Sequence, residues 1–157
     1  MMRGLVLLCL FGGMAQAAPV TFGDSLYAKF HHDRCLQCHQ FNSREHDGRA
    51  FTSHRSRYLC KQCHVPTRIG LRDSEWMAPE PRFDYTGLSA GATCRLLKQN
   101  MRGDDRRILD HLLHDGRVRW AIESGRTPVG AAPRVPGGLA EWERDVMAWY
   151  RDGMRCD

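Results

Sequence analysis

Beyond residue 88 the apolar positions fall at helical intervals, whereas between residues 18 and 67 aliphatic ones are few. Ile108, Leu109, Leu112 and Leu113 make one stripe, and Leu139, Trp142, Val146 and Trp149 recur at i, i+3, i+7 and i+10, a spacing that places each set on one side of a helix. Ser89 is the N-cap of a first helix through about Gln99, which carries Cys94, Leu96 and Leu97. Asp104 or Asp105 opens a second. Asp115-Gly116 interrupts it before a shorter segment with Val118, Trp120, Ala121 and Ile122, closed by Gly125. The stretch 126–138 contains Pro128, Pro133 and Pro136 and is expected to be irregular. A last helix is expected over Leu139–Arg151, with a stop at Gly153 that returns Cys156 towards the first. No period-two strand or hairpin signal stands out. The expectation is an all-α fold whose helical region, 88–157, has about three helices.

The front of the chain is different. Arg3, the apolar run Leu5–Phe11 and the small-x-small triplet Ala15-Gln16-Ala17 read as a secretory signal peptide over residues 1–17. The run is shorter than the ~20 residues a membrane span needs, with an uncleaved anchor as the alternative. Residues 18–67 hold six of the eight histidines and few aliphatic side chains; before the first motif they offer only a short amphipathic helix, around Ser25–Asp33. Such a segment cannot build a core from its own residues. A linker rich in Pro and Gly follows over 68–87, with Gly70, Pro79, Pro81 and Gly87.

Within 18–67 lie two copies of Cys-x-x-Cys-His: Cys35-Leu36-Gln37-Cys38-His39 and Cys60-Lys61-Gln62-Cys63-His64. Each is the attachment pattern of a c-type haem. Two thiols separated by two residues can add to the two vinyl groups of one porphyrin, and the histidine that follows reaches the iron as proximal ligand. The same four cysteines, spaced C-x2-C-x21-C-x2-C, also resemble a zinc ribbon, but tetrahedral zinc held by four thiolates has no use for a histidine after each pair. With 8 histidines in 157 residues, both pairs would gain the histidine that the motif demands by chance about once in 400 trials. A thioredoxin-like dithiol would need a β-α-β setting that the pattern lacks. Two haem c groups are therefore expected, on Cys35, Cys38, Cys60 and Cys63, with His39 and His64 proximal. The porphyrins would supply the apolar mass that residues 18–67 lack, which makes this half haem-organised, with little regular structure.

The second axial position decides the chemistry. A methionine there raises the potential, and an open site admits small molecules. The density of His31, His32, His46 and His54 beside the motifs favours bis-histidine irons. His54, six residues before Cys60, is the first choice. His31 and His32 stand too near Cys35 to swing easily over the same haem and more naturally serve the other; His46 is a rival, and Met77 beside Trp76 an axial methionine candidate. Met101 is weaker. His111 could face a haem but reads first as a core-edge residue, and His114 as solvent-facing.

Haem is attached to such motifs outside the cytoplasm, so the expected location is a bacterial periplasm. Loss of residues 1–17 takes Cys9 with it and leaves Cys94 and Cys156 beyond the haem cysteines. In an oxidising compartment these two are expected to pair. The formal charge of +5 could suggest nucleic acid. However, no Lys/Arg run of that type occurs, and the four propionates of two haems would nearly offset it. Several arginines between 34 and 72 are read as propionate partners and solvated surface.

Asp33-Arg34-Cys35-Leu36-Gln37-Cys38-His39 and the stretch from Ser53-His54 through Arg57-Tyr58-Leu59-Cys60-Lys61-Gln62-Cys63-His64-Val65-Pro66 resemble the small dihaem cytochrome subunit of periplasmic nitrate reductase. The resemblance covers residues 33–67. It implies two nearly stacked bis-histidine haems, His54 as one distal ligand, and electron transfer from a quinol-oxidising donor to a molybdoenzyme acceptor. The chain departs from that family in offering only His31 and His32 upstream of Cys35, and in its helical C-terminal region. From Trp76 onward it looks like small exported haem proteins labelled as isoquinoline 1-oxidoreductase subunits. The shared features are Trp76 before Ala78-Pro79, Gly87-Leu88-Ser89 leading to Cys94 and Leu97-Lys98, His111-x3-Asp115 with Val118-x-Trp120, and a Trp149…Gly153…Cys156 end. The function expected is single-electron transfer between protein partners. A haem enzyme or sensor with one open or switchable axial site is the alternative, and a four-cysteine zinc-binding module a minor one.

Overall fold

The computed structural model describes residues 18–36, 39, 81–127, 130–131 and 133–157. Residues 1–17, Cys38, His46, His54, Cys60, Cys63, His64 and Met77, together with the linker up to residue 80, lie outside the described residues.

Among the described residues three single-turn helices come first: α1 (Phe22–Ser25), α2 (Tyr27–Phe30) and α3 (Asp33–Leu36). The winding begins earlier than the helix expected around Ser25–Asp33, and the reason is a capping box. Thr21 Oγ1 accepts from the Asp24 N–H, and the Asp24 carboxylate accepts the Thr21 N–H. The chain winds on through Leu26 N–H to the Phe22 carbonyl and Phe30 N–H to the Leu26 carbonyl, each 2.9 Å. Phe22, Leu26 and Phe30 therefore fall on one side, and all three are buried.

A 3-10 turn (Pro81–Phe83) leads to α4 (Ala90–Asn100), α5 (Asp105–His114), α6 (Gly116–Glu123), a two-residue antiparallel ladder of β1 (Arg126–Thr127) with β2 (Gly130–Ala131), and α7 (Gly138–Arg151). Ser89, Asp104 and Asp115 each accept a backbone N–H at the start of α4, α5 and α6, satisfying donors that a helix start leaves orphaned. Because Asp115 caps a new helix, the interruption at Asp115-Gly116 is a true boundary, and the described residues of this region form four helices where about three were expected. The ladder is a second departure, since 126–138 was expected to be irregular throughout. Gly125, between α6 and β1, takes up the left-handed region at φ 61°.

The core is one cluster in which Phe22, Leu26 and Phe30 meet Cys94 and Leu97 of α4, Ile108 and Leu112 of α5, Ile122 of α6, and Trp142, Val146 and Trp149 of α7. Trp142 donates its indole N–H to the Leu112 carbonyl, and Trp149 donates to the Arg155 carbonyl, both at 2.7 Å. Each aromatic thus buries its area without orphaning a donor. After α7, Gly153 at φ 80° turns the chain back, and Cys156 closes the disulfide with Cys94, Cα atoms 5.4 Å apart. The described residues are thus helical and carry the disulfide expected from the two remaining cysteines. No helix among them is long and apolar enough to cross a membrane.

Candidate functional site

The first motif opens inside this platform. In α3 the His32 carbonyl accepts from Cys35 and Leu36, and the Cys35 carbonyl accepts from His39 N–H at 3.1 Å. One helical turn therefore separates Cys35 from His39, which sets both side chains on the same side. Both line a cavity of about 680 Å³, within the ~300–1,000 Å³ range of small-molecule and cofactor sites. Phe30, Tyr85 and Trp142 form aromatic wall, and Arg82, Arg107 and Arg117 supply positive charge around it.

His39 is held by residues 83–85. Its Nδ1 lies 3.0 Å from the Phe83 carbonyl, and since a carbonyl only accepts, Nδ1 carries the proton and Nε2 the lone pair. The ring stacks on Tyr85 at 4.7 Å and 16°, and the His39 carbonyl accepts the Tyr85 N–H at 2.8 Å. Burial pulls the imidazole pKa down to about 4, against the opposing Phe83 hydrogen bond. The ring is neutral at neutral pH, the form that binds a metal. Burial likewise pushes the Tyr85 phenol above its ordinary value, with the nearby Cys35 adding to the shift.

Elsewhere on the same cavity lining, His111 Nδ1 lies 3.1 Å from Asp115 Oδ2. Burial would raise the Asp115 pKa, but hydrogen bonds from Arg117 and His111 outweigh it and hold the carboxyl well below the usual range. Asp115 is thus an anionic acceptor for Nδ1–H.

Of the sequence candidates among the described residues, Cys35 and His39 come together on the cavity, whereas His31 and His32 do not line it. His31 Nε2 is 3.0 Å from Thr93 Oγ1, and its ring packs on Tyr27. His32 Nδ1 accepts the Arg34 backbone N–H at 3.2 Å. His111 and His114 line the cavity with Met101, so His111 is more than a core-edge residue. Arg34 is no surface cation either. It is 1% exposed, donates to the carbonyls of Trp120, Ala121 and Arg126 and to Ser124 Oγ, and stacks over Trp120 at 4.6 Å. A guanidinium at the C-terminal carbonyls of α6 complements that helix's dipole and ties α3, and with it Cys35, to α6. Tyr85 and Phe83 escape sequence reasoning because they sit in what reads as linker; the aromatic pair in Phe83-Asp84-Tyr85 is the available signal.

No family model, curated protein or solved structure matches this chain.

Proposed function

We propose that the protein is an exported dihaem cytochrome c that carries single electrons between protein partners. The observation that carries this reading is the duplicated Cys-x-x-Cys-His, with Cys35 and His39 of the first copy on one wall of an aromatic-lined cavity. The residues there fit the group. Cys35 and Cys38 would hold it covalently, and His39, neutral and fixed through Nδ1, offers Nε2 to a metal. Arg82, Arg107 and Arg117 match the charge of propionates. An acceptor on the far ring nitrogen is the usual support of a ligating histidine, and the Phe83 carbonyl is such an acceptor. Cys60, Cys63 and His64 would hold the second haem in the same manner, with His54 distal.

Bound haem supplies an iron that gains and loses one electron. The chain's own part is rigidity and exclusion of water. Tyr85 and Phe83 fix the His39 ring, Arg34 and the core fix the helix before it, and Phe30 and Trp142 wall the cavity. By resemblance the partners are a quinol-oxidising donor and a molybdoenzyme acceptor, met in the periplasm after removal of residues 1–17.

The test is the protein secreted by a host competent in haem attachment. Its mass should exceed that of the mature chain by two haems, and its reduced spectrum should be low-spin and indifferent to carbon monoxide. A colourless protein containing zinc overturns the reading. Carbon monoxide binding by one haem would favour an enzyme or sensor with an open axial site instead.

A further inference from the structure

We propose that His111 is the second axial ligand of the haem iron that His39 would bind. This rests on the haem reading above and adds a residue that neither the motifs nor their neighbourhood in sequence would select.

Two imidazoles line one cavity, and they are dressed alike. His39 commits Nδ1 to the Phe83 carbonyl at 3.0 Å, and His111 commits Nδ1 to Asp115 Oδ2 at 3.1 Å. Among the described residues neither Nε2 has a hydrogen-bond partner, which leaves one lone pair on each ring for the cavity. Histidines that bind metals are held in this way, with the other ring nitrogen donating to a carbonyl or carboxylate that fixes tautomer and orientation. Asp115 is itself fixed. It accepts from the Arg117 side chain and backbone and caps α6, so the acceptor for His111 does not depend on a mobile side chain.

The competing side chains are worse placed. His31 engages Thr93 through Nε2 and is absent from the cavity wall. Met101 reaches the cavity but belongs to the buried apolar cluster. His114 is exposed at the last turn of α5 and has no carboxylate behind it among the described hydrogen bonds. His111 lies three residues after Ile108 and one before Leu112, both fully packed, so its backbone is anchored at the core while its ring edges the cavity.

The experiment uses the full haem-loaded chain. With His111→Ala, we expect two covalent haems by mass, one of which becomes high-spin and binds carbon monoxide on reduction, while added imidazole restores the low-spin spectrum. With His111→Met, both haems should remain low-spin, and one of the two midpoint potentials should rise, since a thioether favours ferrous iron. Two haems with unchanged spin state, carbon monoxide response and potentials in both variants overturn the assignment while leaving the cytochrome reading intact. Absence of haem from the unmodified chain removes the reading itself. Should His111→Ala fail to accumulate, His111→Met decides alone, because an unchanged pair of potentials in it excludes His111 from the iron.

Discussion

Phe22 meets Trp149 edge-on, with ring centroids 5.5 Å apart and planes at 66°. The contact joins the first described helix to the last, and Phe30 extends it by stacking near Trp142 at 5.8 Å. The residues that lead into the first haem motif are therefore part of the helical core. Phe22→Ala should cost about 3–5 kcal/mol, the usual loss for a buried phenylalanine. Denaturant unfolding followed by tryptophan fluorescence measures it directly, and a loss below about 1 kcal/mol, far under that range, would show that this segment folds apart from α7.

The disulfide spans 62 residues of sequence, a closure worth about 4 kcal/mol in the chain-entropy model. Cys94→Ser combined with Cys156→Ser should lower the unfolding free energy by roughly that amount. Alkylation of the denatured, unreduced protein should leave both cysteines unlabelled, and labelling at either would contradict the bond.

Arg34 is a clamp whose loss orphans several acceptors at once. Arg34→Met keeps much of the volume but none of the donors, and about 2–4 kcal/mol should disappear, given ~1–3 kcal/mol for each buried group left unsatisfied. Arg34→Lys should recover only part of this, because a single ammonium cannot reach the carbonyls and the Ser124 hydroxyl together. Equal stability of Arg34→Lys and the parent chain would argue against the fork.

Stability should fall away on both sides of neutrality for separable reasons. Burial lowers the pKa of His31, so its contribution is whole above the ordinary value of about 6.5 and is lost as pH falls through the folded value. Lys29 runs the other way. Burial would lower its pKa, but hydrogen bonds to Asp145 and Glu141 outweigh this and raise it. Its contribution is present below the ordinary lysine value and is lost as pH rises through the folded one. Unfolding midpoints measured against pH should show a smaller acid limb in His31→Gln, with His39 and Asp115 retaining the rest, and a smaller alkaline limb in Lys29→Met, with Tyr85 retaining the rest. Either limb unchanged by its own substitution refutes that attribution.

The C-terminal helices are legible because their signals are local. Ser89, Asp104 and Asp115 stand where N-caps are needed, and Trp142, Val146 and Trp149 keep a helical period. The start of α1 has a local signal too, in Thr21-Phe22-Gly23-Asp24, overshadowed by the stronger motif nearby. What the pattern could not disclose is long-range. Nothing local announces that Phe22 reaches Trp149, that Arg34 is swallowed by α6, or that Tyr85 leaves a Pro/Gly stretch to stack on His39. The candidate site divides in the same way. Cys35 and His39 follow from spacing, and so does the pairing of His111 with Asp115 four residues on; that both pairs line one cavity is what spacing does not disclose.

The hydrogen bond from Tyr85 N–H to the His39 carbonyl, 2.8 Å long, has a practical corollary. His39 and Tyr85 are neighbours on the platform, so the two ends of the chain between them lie side by side. Exchanging positions 41–79 for a short glycine–serine bridge would keep Cys35, Cys38, His39 and the whole described core, while removing His46, His54, Cys60, Cys63, His64 and Met77. Closure entropy rises only with the logarithm of loop length, so the shorter link carries no thermodynamic penalty of its own. The two-haem relay proposed above would in this way be cut down to one centre, whose iron would have only the platform's own side chains to bind.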